Sequence, residues 1–83
     1  MTYSQLAQIS LIAQNNSIPS FAKAMNVTIQ MVHGTLTGAT TSKKIISALD
    51  KIIVESVKLL GISQLHITGL PKHTNILKMI RNG

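Results

Sequence analysis

The chain contains no cysteine, no tryptophan, and only one tyrosine and one phenylalanine among its 83 residues. Without cysteine it can form neither a disulfide nor a thiolate metal site. A chain this short buries only about 60% of its unfolded surface or slightly more, so an isolated monomer would be marginally stable. We therefore expect small helices packed through aliphatic side chains and methionine, with association between copies as a further source of stability.

Acidic residues are also scarce, since two stand against eight lysines and arginines and give a formal charge of +6. This balance favours polyanionic partners, nucleic acid before an anionic membrane surface, with solubility alone as the plain alternative. No apolar run reaches the roughly 18 residues that span a bilayer. The first residues also lack the basic and apolar regions of a secretory signal. We expect a cytoplasmic, nucleoid-associated protein with no membrane partner.

The residue types that carry catalysis or hold metals are few and poorly spaced. His33, His66 and His73 show no ligand spacing with one another or with a carboxylate. Asp50 and Glu55 are five positions apart on one predicted helix, so they diverge around it and make poor acid–base partners. We therefore expect no enzyme and no catalytic residue, and we expect no metal, cofactor or small-molecule ligand.

Four segments carry the signals of short helices that begin at a capping residue. The predicted helices are 2–14 with a capping box of Thr2 and Gln5, 18–25 after Ser17, 29–37 after Thr28, and about 43–60 after Thr41 or Ser42. Asn26 and Gly38 follow the second and third helices and suit the left-handed conformation that ends many helices. In the tail, SQLHITG predicts a short strand and TNILKMIRNG a final helical turn or two.

Apolar residues mark the faces that we expect to be buried. In the first helix they are Leu6, Ile9, Ile12 and Ala13, which recur at helical spacing. In the fourth helix a stripe at positions 46, 49, 53, 57 and 60 is expected to cover the first three helices.

A second apolar line flanks that stripe at Ile45, Ala48, Ile52 and Leu59. It leaves surface for another chain, so we predict a two-fold homodimer. The predicted interface residues are Ile52, Leu59, Leu65 and Ile67. The alternative is that the tail folds back over this surface within one chain.

The joint between the second and third helices carries the most specific signal. Only Asn26 and Val27 come between the second helix and the Thr28 cap of the third, which forces the helices to cross steeply, as in a helix-turn-helix. Ala22 is small enough for the crossing, and Val32 and Leu36 lie one turn apart, pointing back to the core. The predicted fold class is therefore all-α, four to five short helices with a central helix-turn-helix, and a short β-strand near the C-terminus as an option.

The run SIPSFAKAMNVTIQMVHGTLTGATTSKKIISAL resembles the helix-turn-helix of phage repressors, Cro-like proteins and lac-repressor-type regulators. The matching positions are Ala22, Val27, Val32, Leu36, Gly38, Ser42, Ile45 and Leu49. The sequence departs from the family pattern at Asn26, where glycine is usual, and in having no Arg or Lys on the third helix.

This resemblance implies that the third helix enters the major groove of double-stranded DNA. If Val32 and Leu36 face the core, the expected base-reading residues are Ile29, Gln30, His33, Gly34 and Thr37. Glutamine can pair with adenine, and Ile or Thr can touch a thymine methyl group, which favours a site containing A·T pairs. Glycine inside a helix costs about 0.5–1 kcal/mol relative to alanine. Gly34 is therefore expected either to allow close approach to DNA or to be a tolerated exposed position.

Phosphate contacts are expected at the helix starts and at the lysines near them. The predicted residues are Ser17, Lys23, Thr28, Thr41, Ser42, Lys43 and Lys44. Cations at a helix start oppose the helix dipole, so Lys43 and Lys44 favour phosphate binding over ordinary solvation.

The sequence thus predicts a DNA-binding transcriptional regulator, similar to a phage or prophage repressor, that binds a palindromic operator as a homodimer. Residues 1–62 would form the helix-turn-helix DNA-binding domain, and residues 63–83 a C-terminal extension for dimerisation or packing. The alternative is a protein-interaction module, such as an antitoxin or anti-regulator, whose tail holds a partner protein. A basic peptide lying on a membrane surface is the remaining option.

Overall fold

The computed structural model of the protein describes residues 1–60 and 66–82. Within these two stretches the chain forms five α-helices and no sheet. They are α1 Tyr3–Ala13, α2 Ile18–Met25, α3 Ile29–Thr37, α4 Lys43–Leu60 and α5 Ile76–Asn82. The prediction of a small all-α fold is confirmed. The glycines expected to end α4 and α5, Gly61 and Gly83, lie outside the described residues.

Capping side chains fix where the helices begin. At α1 the predicted capping box is present, because Thr2 accepts from the Gln5 N–H at 3.1 Å and Gln5 accepts from the Thr2 N–H at 2.9 Å. Ser17 and Thr28 each accept a hydrogen bond from the N–H three residues later, as expected for α2 and α3. Ser42 has this role at α4, where its Oγ accepts a hydrogen bond from the N–H of Ile45 at 3.4 Å.

Two left-handed residues end α2 and α3. Asn26 has φ 59° and ψ 43°, and Gly38 has φ 86°. The N–H of Val27 donates to the carbonyl of Ala22 at 3.0 Å, which satisfies one of the last carbonyls of α2. The chain therefore turns into α3 within a few residues, as the helix-turn-helix pattern predicts.

Helix α4 lies at the centre of the core and packs against α1, α3 and α5. Its predicted stripe is buried at the four described positions, Ile46, Leu49, Ile53 and Val57. The second line does not form an open surface, because Ile45 is fully buried and Ala48 and Ile52 pack against the core. Of that line only Leu59, which is 76% exposed, remains open to solvent.

The buried face of α1 differs from the predicted one. The buried residues are Tyr3, Leu6, Ala7, Ser10 and Leu11, whereas Ile9, Ile12 and Ala13 are exposed. Both sets recur at helical spacing, so α1 has two apolar faces. The face that contains Ser10 packs against α4, and the Ser10 carbonyl accepts a hydrogen bond from the Ser56 hydroxyl at 3.1 Å.

The tail folds back onto the same core, as in the alternative considered above. Thr68 forms an isolated parallel bridge with Thr2, through the Tyr3 N–H to the Thr68 carbonyl at 2.8 Å. In the described residues this bridge is all that appears of the predicted strand. Ile67 is only 8% exposed and Ile76 is fully buried. Ile67 is therefore a core residue and not an open dimer contact, and Leu65, also predicted at that interface, lies outside the described residues.

Candidate nucleic-acid interface

One side of α3 is fixed in the core. Val32 and Leu36 are buried, and Val27 packs partly against the same cluster. Thr35 is buried as well, but its hydroxyl donates to the Met31 carbonyl at 2.8 Å, so no polar group is left without a partner there. The helix is held along this side, and its orientation on the domain follows from that packing.

The opposite side of α3 faces solvent. Of the predicted base-reading residues, Ile29, Gln30, His33 and Thr37 are all exposed. Met31 is exposed too, which the sequence analysis did not anticipate. The result is a helix surface with a glutamine between two apolar side chains and with no Lys or Arg. Such a surface has a hydrogen-bonding group for an adenine edge and apolar groups for thymine methyls.

Gly34 has a role within the protein itself. The connection after α3 returns across the helix, and the Thr40 N–H donates to the Gly34 carbonyl at 3.1 Å. A Cβ placed on Gly34 would overlap the Thr40 hydroxyl oxygen. The space beside Gly34 is thus taken by the side chain of Thr40, which is itself exposed.

Of the predicted phosphate-binding residues, all but Lys23 lie at helix starts, and Lys23 lies in the last turn of α2. The hydroxyls of Ser17, Thr28 and Ser42 already accept N–H groups as caps. The side chains of Lys23, Thr41 and Lys43 are exposed. The start of α4 therefore has the exposed ammonium group of Lys43, whereas that of Lys23 belongs to the C-terminal end of α2.

Lys44 makes a contact that the sequence did not reveal. Its Nζ donates to the carbonyl of Met25 at 3.3 Å, at the C-terminal end of α2. A cation there is favourable because it offsets the negative end of the α2 dipole. This bond holds the start of α4 beside the turn into α3, so the lysine pair belongs to the same region as the exposed α3 face.

A groove of about 320 Å³ adjoins α3 at His33. Its walls come from the end of α1, the start of α2 and His33, with Leu11, Ile12, Ile18 and Pro19 as the apolar part. The polar part comprises Gln8, Asn16 and Ser17. His33 therefore lies at the edge of the exposed α3 face, next to α1, and not at its middle.

A buried polar cluster lies on the far side of α4. Asp50 is 2% exposed, and its carboxylate accepts from the Tyr3 hydroxyl at 2.6 Å, the Thr74 hydroxyl at 2.8 Å and the Asn75 N–H at 3.0 Å. Burial, and then the bond to Asp50, raise the pKa of Tyr3 well above its ordinary value. This cluster joins α1, α4 and the start of α5. The sequence did not predict this role for Asp50, although its spacing from Ile46 and Ile53 on the predicted stripe is a signal of burial.

Other kinds of site find little support in the described residues. Across residues 1–60 and 66–82 no three His, Asp or Glu side chains come together as a metal site. No described helix is both long enough and apolar enough to cross a membrane. Comparison of the chain with protein-family models, with curated proteins and with solved structures finds no match.

Proposed function

We propose that the protein is a sequence-specific DNA-binding transcriptional regulator that acts from the cytoplasm on a palindromic operator, as a homodimer. The observation that carries the proposal is the two-sided α3. Val32 and Leu36 hold one side in the core, while Gln30 and Thr37 are exposed on the other. A short helix presented in this way, directly after a tight turn, suits insertion into the major groove.

The side chains of α3 that would contact the bases carry no formal charge. Gln30 can make two hydrogen bonds to an adenine edge, and Ile29 and Met31 beside it can contact thymine methyl groups. Thr37 extends this face by two turns. The expected target is a half-site containing A·T pairs, recognised without the arginine–guanine contact that many regulators use.

Affinity then depends on the phosphate backbone, which Lys23 and Lys43 are positioned to contact. The hydrogen bond of Lys44 to Met25 brings the start of α4, with Lys43, next to the end of α2, and Lys23 lies in that last turn of α2. With a formal charge of +6, the chain is attracted to DNA before any base is read. No step of this mechanism requires an enzyme activity, a metal or a cofactor.

The alternative function, a module whose tail holds a partner protein, finds less support. In its described part the tail contributes Ile67 and Ile76 to the core and bonds to Asp50 through Thr74. A deletion of residues 63–83 would therefore remove core side chains and could not separate the two functions. Single substitutions on α3 make the sharper test.

The test is selection of bound sequences from random duplex DNA with the natural protein and with Gln30→Ala. We expect a palindrome from the natural protein, and from Gln30→Ala a loss of preference at one inner position of each half-site. The loss at that position is expected to be roughly 1–3 kcal/mol, the usual value of a bidentate contact. Binding to unrelated DNA at low salt should be unchanged, since the backbone contacts remain.

Ser47→Ala is the control, because Ser47 is exposed on α4 and is not among the predicted DNA contacts. It should give the same palindrome as the natural protein. If no sequence is enriched and no duplex is retarded at low ionic strength, the proposed function is wrong. If the natural protein and Gln30→Ala enrich the same palindrome, the protein binds DNA as proposed, but Gln30 does not read a base.

A further inference from the structure

An apolar surface on α1 has no partner in the described structure. Ile9 and Ile12 are exposed, Ile12 by 72%, and Met1 lies beside them. Met1, Ile9 and Ile12 line one groove of about 450 Å³ together with Gln5 and Gln8. The four helical residues follow the spacing i, i+3, i+4, i+7, so they form one continuous stripe. We call Gln5, Gln8, Ile9 and Ile12, with Met1, the α1 stripe.

The α1 stripe differs in charge from the rest of the protein. The first charged side chain in the sequence is Lys23, so α1 and the residues that flank it carry none. Exposed lysines lie instead on α2, on α4, before α5 and on α5, at Lys23, Lys51, Lys58, Lys72 and Lys78. In a chain of formal charge +6, the surfaces that carry lysines repel a second copy. The α1 stripe carries no charged side chain, and the exposed face of α3, which has no Lys or Arg either, is the one proposed to bind DNA.

From this charge pattern we infer that the α1 stripe is the surface on which a second copy of the chain docks. An acidic partner protein would be drawn to the lysine-bearing helices, whereas an identical, strongly basic partner is accepted best where no side chain is charged. The exposed isoleucines supply the apolar area, and the glutamines supply polar groups for the rim. The inference deepens the proposed function, since it rests on the homodimer proposed there and names its surface.

A two-fold pairing of α1 with α1 lets the isoleucines of the two copies meet. In an antiparallel crossing centred between Ile9 and Ile12, each isoleucine of one protomer meets the other isoleucine of its partner, and the two amino termini lie at opposite ends.

The α1 stripe also borders the reading face. Gln8 and Ile12 line both this groove and the groove that contains His33. A partner docked on α1 would therefore lie next to α3 and cover part of the rim around His33. Pairing at α1 and DNA binding at α3 use adjacent surfaces of the same molecule.

The test compares two equally exposed aliphatic residues, because Ile12 is 72% and Leu59 is 76% exposed. Sedimentation equilibrium without DNA should give twice the 9.0 kDa of one chain for the natural protein. We expect Ile12→Glu to weaken association at least tenfold. Leu59→Glu, at a position that the sequence predicted for the dimer interface, should leave association unchanged if the α1 stripe is the docking surface instead. Circular dichroism checks that both variants keep their helices.

A second experiment uses the absence of cysteine, which makes any introduced thiol the only one in the chain. Ile12→Cys is expected to form a covalent dimer with a short bismaleimide, and Leu59→Cys is not. The inference is wrong if the natural protein is a monomer, if Ile12→Glu still pairs, or if Leu59 variants show the effects expected of Ile12. Because no DNA is present, these outcomes are separate from a failure to bind an operator.

Discussion

Gly34 lies where two segments of the chain meet, and its missing side chain makes room for Thr40. Replacement by alanine has two opposite effects on the free energy of unfolding. Alanine is the better helix former by about 1 kcal/mol, but its Cβ would overlap the Thr40 hydroxyl. We expect Gly34→Ala to change the free energy of unfolding in urea by less than about 1 kcal/mol, because the exposed Thr40 hydroxyl turns away from the added carbon at a cost that offsets part of the gain in propensity.

The Thr40→Ala background provides the control for Gly34. The Cβ of Thr40 lies 3.5 Å from the added carbon, an ordinary contact, so removal of the hydroxyl relieves the overlap. In that background Gly34→Ala should raise stability by up to about 1 kcal/mol. A Gly34→Ala variant that is stabilised equally with and without Thr40 would show that the hydroxyl rotates away at no cost.

Tyr3 gives the buried polar cluster a distinct dependence on pH. Its folded pKa is raised above the ordinary value of 10.0, first by burial and then by the bond to Asp50. The folded state therefore keeps the proton while the unfolded chain releases it. The contribution of protonated Tyr3 to the free energy of unfolding is fully present below about pH 10. It falls as the pH rises beyond that value, by up to about 1.4 kcal/mol per pH unit.

Because Tyr3 is the only tyrosine, its ionisation can be followed directly by ultraviolet absorbance. We expect the tyrosinate signal to appear together with the loss of helical circular dichroism, and not before it. Tyr3→Phe should remove this part of the pH dependence. It should also lower stability near neutral pH by roughly 1–3 kcal/mol, since Asp50 loses one donor. Tyrosinate formed in the folded protein near pH 10 would contradict the prediction.

At the scale of the elements, the turn between α2 and α3 depends on one left-handed residue. Asn26 adopts φ 59°, a conformation that costs a residue with an ordinary side chain roughly 1–2 kcal/mol. We expect Asn26→Ala to lower the free energy of unfolding by about 1 kcal/mol. Asn26→Gly should leave it nearly unchanged, because glycine reaches this conformation without strain but gains freedom in the unfolded chain.

The pair of Asn26 variants also separates strain in the turn from DNA binding. Asn26→Gly should bind duplex DNA like the natural protein. Asn26→Ala should bind equally well wherever it is folded, because no predicted DNA contact is removed. Equal unfolding free energies for the two variants would show that the left-handed turn is not under strain.

Local features of the elements could be predicted from the sequence, and features that depend on distant contacts could not. Thr2, Ser17 and Thr28 cap N–H groups three residues away, so their roles follow from a few adjacent letters. The buried face of α1 depends on α4, about 40 residues later, and the sequence offered two apolar faces of similar length. The cluster at Asp50 was not predicted, because its partners Tyr3 and Thr74 are 47 and 24 positions away.

The same distinction applies to the candidate interface. The exposure of Gln30 and Thr37 follows from the burial of Val32 and Leu36 by helical geometry alone. The contact of Lys44 with Met25 could not be predicted, because it joins two helices across 19 residues. The position of Thr40 over Gly34 depends on how the polar connection after α3 folds, which no periodic pattern specifies.

For the whole molecule, the positive charge is distributed between the proposed DNA side and the far end of α4. Lys43 lies at the start of α4 beside the turn into α3, whereas Lys58 is about 22 Å further along the helix. Only lysines close to phosphates release condensed counterions, so the two residues should differ in their effect on salt dependence. The salt slope of DNA affinity therefore reports which lysines contact the backbone.

We expect Lys43→Gln to reduce the slope of log affinity against log salt by about 0.9 for each protomer bound, and Lys58→Gln to change it much less. Both variants lose one charge, so their net charges stay equal, and both residues are exposed, so folding should be unaffected. The measurement is fluorescence anisotropy on one duplex over a series of salt concentrations. Equal slopes for the two variants would mean that DNA affinity depends on the net charge of the protein and not on a phosphate contact at the start of α4. The orientation proposed for α3 in the groove would then lose its support.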